Sequence, residues 1–223
     1  MLKNLFYLVS LLLLSSCSSV EITDKPIRFD EERIQLTLDY MRDRYGISQS
    51  DATISPEMVV VHWTAIPDLE KSFNAFYENK LPGWRPDLKN AGSLNVSAQF
   101  LIDRDGTVYR LMPENTMARH VIGLNHCAIG IENVGGTEET PLTGEQLRSN
   151  VRLIKYLKKK YPAILYVIGH YEYTLFEEHP LWLEKDKTYR TTKTDPGIDF
   201  MTSIRNKTKK YRWEPVPEKN IAH

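Results

Sequence analysis

The chain has 223 residues, enough for one domain with a small appendage. Hydrophobic residues make up 41% and charged residues 26%, an ordinary globular balance that can bury a real core. Its 29 basic and 29 acidic side chains cancel, so no long-range field draws it to nucleic acid or to an anionic membrane face.

In chain order, Lys3 opens a short positive region and Leu5 to Leu14 form an almost wholly apolar run. A bilayer-spanning helix needs about 20 such residues. The run has instead the length of a signal-peptide core. It ends in Leu14-Ser15-Ser16-Cys17, which resembles the lipobox of bacterial lipoproteins. That resemblance implies that residues 1–16 are removed and that Cys17 becomes an acylated first residue. Ser18 after the cysteine resembles the outer-membrane sorting pattern, implying a lipid anchor in the outer membrane with the domain facing the periplasm. The alternative is an ordinary secretory signal in which Cys17 is incidental. A lipidated Cys17 leaves Cys127 without an intramolecular partner, so no disulfide framework is expected. Cys127 then reads as a small, partly buried hydrophobe.

Residues 17–29 read as a polar tether, 30–212 as the domain and 213–223 as a tail. From Glu31 to Tyr45, the positions Ile34, Leu38, Met41 and Tyr45 fall at helical spacing, with Asp30 as cap and Gly46 as stop. Met58 to Trp63 reads as a buried strand. Leu69 to Ser93, with Pro82, Gly83, Pro86 and Gly92, reads as a long surface excursion. Val96–Ile102 and Val108–Met112 flank Asp103-Arg104-Asp105-Gly106, a hairpin signal. Ala128–Val134 is a further strand, and Thr143 with Gln146 forms a capping box opening a helix with Leu147, Val151, Ile154 and Leu157 on one face. Ile164–Ile168 is a strand, and Ile198, Met201 and Ile204 begin the last helix. The alternation predicts an α/β fold with a central mixed sheet flanked by helices.

Two apolar strands each end in histidine, Val59-Val60-Val61-His62 and Tyr166-Val167-Ile168-Gly169-His170. If both run the same way, both imidazoles emerge at one sheet edge, where α/β folds usually build sites. Thr194-Asp195-Pro196-Gly197 adds a carboxylate just before the last helix. Two His and one carboxylate leave the fourth position of a tetrahedral zinc open. Each residue alone is as readily an ordinary hydrogen-bonded group.

The blocks Val60-Val61-His62-Trp63-Thr64, Ser97 to Val108, Ala128-Ile129-Gly130-Ile131-Glu132, Gly169-His170 and Lys193-Thr194-Asp195-Pro196-Gly197 together resemble the type-2 N-acetylmuramoyl-L-alanine amidase family. That family shares its fold with phage-type amidase lysozymes and peptidoglycan recognition proteins. The resemblance runs in order from about Pro56 to Met201. It implies one zinc ion held by His62, His170 and Asp195, and peptidoglycan or muropeptides as substrate. Ala98-Gln99 departs from the Tyr-His or Ala-His of many relatives, and the segment 171–192 is longer than in close relatives.

Glu132 is the candidate general base, because a glutamate in an apolar strand is costly unless paired or functional. Lys193 lies two residues before Asp195 in an extended segment, so it shares that ligand's side and is the candidate for stabilising an oxyanion. The bland alternative is a solvated lysine. His120 resembles a family position lining the substrate groove, whereas His126, His179 and His223 read as loop residues. Tyr171, Tyr173, Phe176, Trp182 and Tyr189 in the long segment are expected to form one groove wall or else to pack it onto the domain. Two other functions remain open: a peptidoglycan-binding protein without catalysis, or a zinc peptidase cutting inside the stem peptide.

Overall fold

Six strands form one mixed sheet in the computed structural model, which describes residues 20–83 and 92–218. Cys17 and the apolar run, the middle of the 69–93 excursion and His223 lie outside the described residues. The strands are β1 (Ile22–Asp24), β2 (Met58–Val61), β3 (Phe100–Ile102), β4 (Val108–Arg110), β5 (Ala128–Asn133) and β6 (Tyr166–Gly169). Their order is β1-β4-β3-β5-β2-β6, and only the β3/β4 hairpin is antiparallel. Four α-helices flank the sheet among the described residues: α1 (Glu31–Tyr40), α2 (Leu69–Tyr77), α3 (Gly144–Lys160) and α4 (Ile198–Thr208). The mixed sheet with flanking helices is the architecture that the sequence pattern predicts.

Alternation along the central strands sorts side chains onto two faces. Val59, Val61, Ile129, Ile131 and Val167 point to the face covered by α3 and α4, against Leu153, Ile154, Leu157, Met201 and Ile204. Met58, Val60, Ala128 and Ile168 point the other way, onto Met41, Tyr45, Tyr173 and Phe176. These aliphatic side chains are essentially sealed from water, so truncating a leucine, isoleucine or methionine among them to alanine costs about 2–5 kcal/mol. The predicted capping box is present: the Gln146 amide donates to Thr143 Oγ1 at 3.1 Å and the Thr143 amide to Gln146 Oε1 at 2.9 Å. In the β3/β4 turn, Gly106 adopts φ +89°, a conformation glycine takes without penalty.

Four expectations need correction. The excursion begins as a helix: Asp68 caps α2 by accepting from the Lys71 amide, and Phe73 and Phe76 are buried. The prolines and glycines that suggested a loop all lie after it. The buried face of α1 is rotated from the predicted stripe, with Arg33 and Thr37 sealed while Ile34 and Leu38 are only partly covered. The cause is Arg33, whose guanidinium donates to the carbonyls of Phe76, Tyr77 and Glu78 and so satisfies the open C-terminal end of α2. The same correction takes in the last turn of the predicted 31–45 helix, which is wider, a π turn over Met41–Tyr45 that stops at left-handed Gly46.

The third correction is at the N-terminus, where residues 22–24 of the supposed tether form edge strand β1, and Ile27 is buried. The fourth is at the tail, where the Trp213 indole donates to Thr208 Oγ1 and the Glu214 amide to the Leu165 carbonyl. Cys127 is buried and free, with burial pushing its thiol pKa up. No described helix is long and apolar enough to cross a membrane.

Candidate metal centre

Strands β2 and β6 are adjacent and parallel, with Val61 paired to Gly169. His62 and His170 therefore follow at the same level, and share the sheet face of Val60 and Ile168. Strand β5 flanks β2 on its other side, Val61 paired to Ile131. The His62 amide donates to the Ile131 carbonyl at 2.8 Å, and its carbonyl accepts from the backbone and side-chain amides of Asn133. That locks the backbone of His62 one residue past the strand. Glu132, between those two partners, emerges on the same face as His62 at the same edge.

Asp195 arrives from a loop. The Tyr171 amide donates to its carbonyl at 3.1 Å, tying the loop to the residue after His170. Its Oδ2 lies 3.3 Å from Nδ1 of His62 and 3.0 Å from Nδ1 of His170. The three candidate donor atoms lie within 4.8 Å of one another, on side chains that are all buried. Burial, with His62 alongside, lowers the His170 pKa to about 4, so its imidazole is neutral near pH 7. Burial alone would raise the Asp195 pKa, but the two imidazoles outweigh it and hold the carboxyl well below its ordinary range. A neutral imidazole and an ionised carboxylate are the forms in which these groups bind metal.

The donor cluster opens into a cleft of about 280 Å³ whose lining includes Glu132, Lys193, His120 and Trp63. The structure thus brings together every site residue read from the sequence that lies within the described residues. Lys193 is partly buried, close enough to the centre for its charge to contribute to the lowering at His170. His120 lines the cleft, as a substrate contact would, yet its Nδ1 faces His62 Nε2 at 3.0 Å and its Nε2 faces the Ala128 carbonyl at 3.3 Å. Burial, then the neighbouring His62, hold its pKa well below the ordinary value, so this imidazole is neutral as well.

The long segment 171–192 mostly packs inward. Tyr173 and Phe176 are fully buried, and Trp182 lies over Gly123, where a Cβ would come within 2.5 Å of its ring. Of the five aromatics named in the sequence, Tyr189 lines the cleft. Arg119 is a wall residue the sequence reading passed over. It is buried, donates to the Gly92 carbonyl and Tyr189 Oη, and lies 5.0 Å from the Tyr40 ring centroid. An arginine in the apolar run Met117-Ala118-Arg119 was the available signal, since a buried guanidinium needs several acceptors.

Comparison with known proteins gives the family and the fold. The family description "N-acetylmuramoyl-L-alanine amidase" matches residues 36–198. The 1,6-anhydro-N-acetylmuramyl-L-alanine amidase AmpD of Enterobacter cloacae is 32% identical over 128 residues, covering 52% of this chain and 68% of that protein. The endolysin of Escherichia phage T7 is 36% identical over 85 residues, 34% of this chain and only 55% of the endolysin. Among solved structures, N-acetylmuramoyl-L-alanine amidase LysC from Clostridium intestinale superposes with a TM-score of 0.51 at 24% identity, covering 85% of this chain and 97% of that one. Bumblebee PGRP-SA superposes at 0.54 and 21% identity, over 88% and 99%. Both superpositions establish the shared fold. With most of the chain matched by one family description, this protein belongs to the N-acetylmuramoyl-L-alanine amidase family.

Proposed function

We propose that this chain is a zinc-dependent N-acetylmuramoyl-L-alanine amidase, hydrolysing the amide between N-acetylmuramic acid and the L-alanine of the stem peptide in peptidoglycan or muropeptides. The observation that carries it is the buried His62, His170 and Asp195 cluster opening on the cleft that also receives Glu132 and Lys193. Two imidazole nitrogens and one carboxylate oxygen are a donor set suited to zinc, and three protein ligands leave a position open for chemistry. Family membership and the likeness to an amidase of anhydro-muramyl substrates support the choice of bond.

When bound, zinc supplies Lewis acidity and a nucleophile available near neutral pH. The chain's own residues do the rest. Glu132 accepts the proton of the attacking water and delivers it to the leaving L-alanine nitrogen, so that water adds across the C–N bond. Lys193 places a positive charge beside the negative charge that develops on the carbonyl oxygen. Low exposure of the centre strengthens both effects by keeping water from screening them. A binding protein without catalysis has no need of an acid–base group beside its metal ligands, whereas Glu132 lines the same cleft.

Mass spectrometry of products from defined muropeptides tests the reaction. An amidase releases the complete stem peptide with a free L-alanine amine and leaves the sugar intact. A sugar still carrying L-alanine would show a peptidase instead, and unchanged substrate would show a binding protein.

We further propose that Cys17 carries lipid and holds the domain at a membrane, in the periplasm-facing leaflet of the outer membrane. The lipobox resemblance supports this reading. Cys17→Ala should release the protein into the soluble fraction or stall its processing. A processed alanine variant that stays in washed membranes would contradict a lipid anchor there.

A further inference from the structure

The cleft contains a third imidazole that the donor set leaves unused. His120 stands edge-on to His62, with ring centroids 5.0 Å apart and planes at 89°. Its two nitrogens have partners of different kinds, and that difference assigns the protons. The Ala128 carbonyl can only accept, so the His120 Nε2 that faces it at 3.3 Å is the protonated nitrogen. In a neutral imidazole protonated at Nε2, Nδ1 has only a lone pair to offer. The His62 Nε2 that faces it at 3.0 Å must therefore donate. His62 then keeps its own lone pair on Nδ1, the atom 3.3 Å from Asp195 Oδ2 inside the donor cluster.

The surroundings are built to keep His120 there. Asn125 Oδ1 accepts from the backbone amides of both His120 and Val121, and Asn125 Nδ2 donates to Tyr45 Oη, so the turn carrying the ring is pinned. The ring rests on Gly130 of β5, where a Cβ would come within 2.9 Å of two ring atoms. Gln99 accepts from the Gly130 amide and donates to the Thr116 carbonyl, holding that seat from behind. A substrate that hydrogen-bonded to either nitrogen of His120 would have to break one link of this chain.

We propose that His120 is a positioning residue that selects the tautomer and ring orientation of His62, so that Nδ1 faces the metal. This rests on the zinc-binding reading given above. Partners of this kind typically control 10–100-fold of metal affinity. The readout is therefore zinc affinity, measured by competition with a chromogenic chelator on the full domain. His120→Leu keeps the bulk and removes the acceptor, and should weaken zinc binding about 10–100-fold; the melting temperature of the metal-free protein separately reads the stability lost where the Ala128 carbonyl loses its imidazole partner. His120→Asn keeps an oxygen acceptor near the Nδ1 position and should recover most of the loss. Long-range ¹H–¹⁵N spectra of the zinc-loaded wild-type protein should show His62 and His120 each protonated at Nε2 alone.

Wild-type zinc affinity in the leucine variant would overturn the role of His120, as would a proton on His120 Nδ1 in the spectra. The spectra decide the matter if the leucine variant does not fold. A wild-type protein that binds no zinc would overturn the metal centre itself, and the role of His120 with it. Zinc bound normally by both wild type and leucine variant would leave the metal centre standing and remove His120 alone.

Discussion

The cleft has one wall made by strands and one made by loops, the first held by a regular hydrogen-bond ladder and the second by a few separate hydrogen bonds. His62, His170 and Glu132 stand at the ends of three adjacent parallel strands, where the sheet's hydrogen bonds set their spacing. Asp195, Lys193 and Tyr189 stand on irregular chain whose position depends on a few contacts: the Tyr171 amide to the Asp195 carbonyl, and Tyr173 Oη to the backbone of Thr191. Strands lend precision to His62, His170 and Glu132, to which the proposed function gives two ligand roles and the proton transfer. On the proposed function, loops supply the third ligand Asp195, the charge of Lys193 and part of the cleft rim, where variation would change recognition without disturbing the core.

Damage to the two walls should therefore look different. The largest effect belongs to the strand side. Glu132→Gln should keep fold and zinc while lowering turnover by about 10²–10⁴-fold. Normal zinc content with less than about a threefold loss would remove Glu132 from the mechanism. On the loop side, Asp195→Ala should lose metal first and rate as a consequence. Its zinc affinity should fall by more than the roughly 10–100-fold that a partner of a ligand controls, and full occupancy with near-normal turnover would remove Asp195 from the ligand set.

Smaller still is the effect expected at the rim. Tyr189→Phe removes only the hydroxyl that Arg119 donates to, and should raise KM by about threefold to tenfold with kcat and zinc nearly unchanged, about 0.7–1.4 kcal/mol of uniform binding. A fall in kcat instead would put Tyr189 among the groups acting in the transition state. The smallest effect on chemistry should come from Tyr173→Phe, which leaves the Thr191 amide and carbonyl short of a partner. It should cost about 1–3 kcal/mol of stability with kcat/KM per zinc-loaded molecule unchanged. An unchanged melting temperature would show that the loop wall does not depend on this anchor.

How much was legible in the sequence follows the same division. His62 and His170 could be read because an uninterrupted apolar strand leads to each, and parallel pairing in register brings such strand ends together. Asp195 stood out only as a carboxylate just before the last helix, and Lys193 only by its spacing from it; resemblance tied both to the two histidines, because nothing local says where a loop folds back. Helix α2 was hidden because its apolar positions are followed at once by Pro82 and Gly83, which weigh toward a loop. The rotated face of α1 was invisible because it depends on Arg33 meeting carbonyls more than forty residues away. Likewise the aromatics of 171–192 read equally as rim or filler; Tyr173 and Phe176 pack beneath the sheet as filler, whereas Tyr189 lines the cleft. Strand β1 is only three residues long and takes its partner from the distant hairpin, so no periodicity announced it.

The central claim is that one zinc ion held by His62, His170 and Asp195 is required for hydrolysis. Stripping the protein with a chelator and titrating zinc back, with metal content and turnover followed together, tests it most directly. Turnover should be lost on stripping and return in proportion to zinc, reaching its plateau at one equivalent. Undiminished turnover in the fully stripped protein, or zinc that binds stoichiometrically without restoring it, would contradict the account.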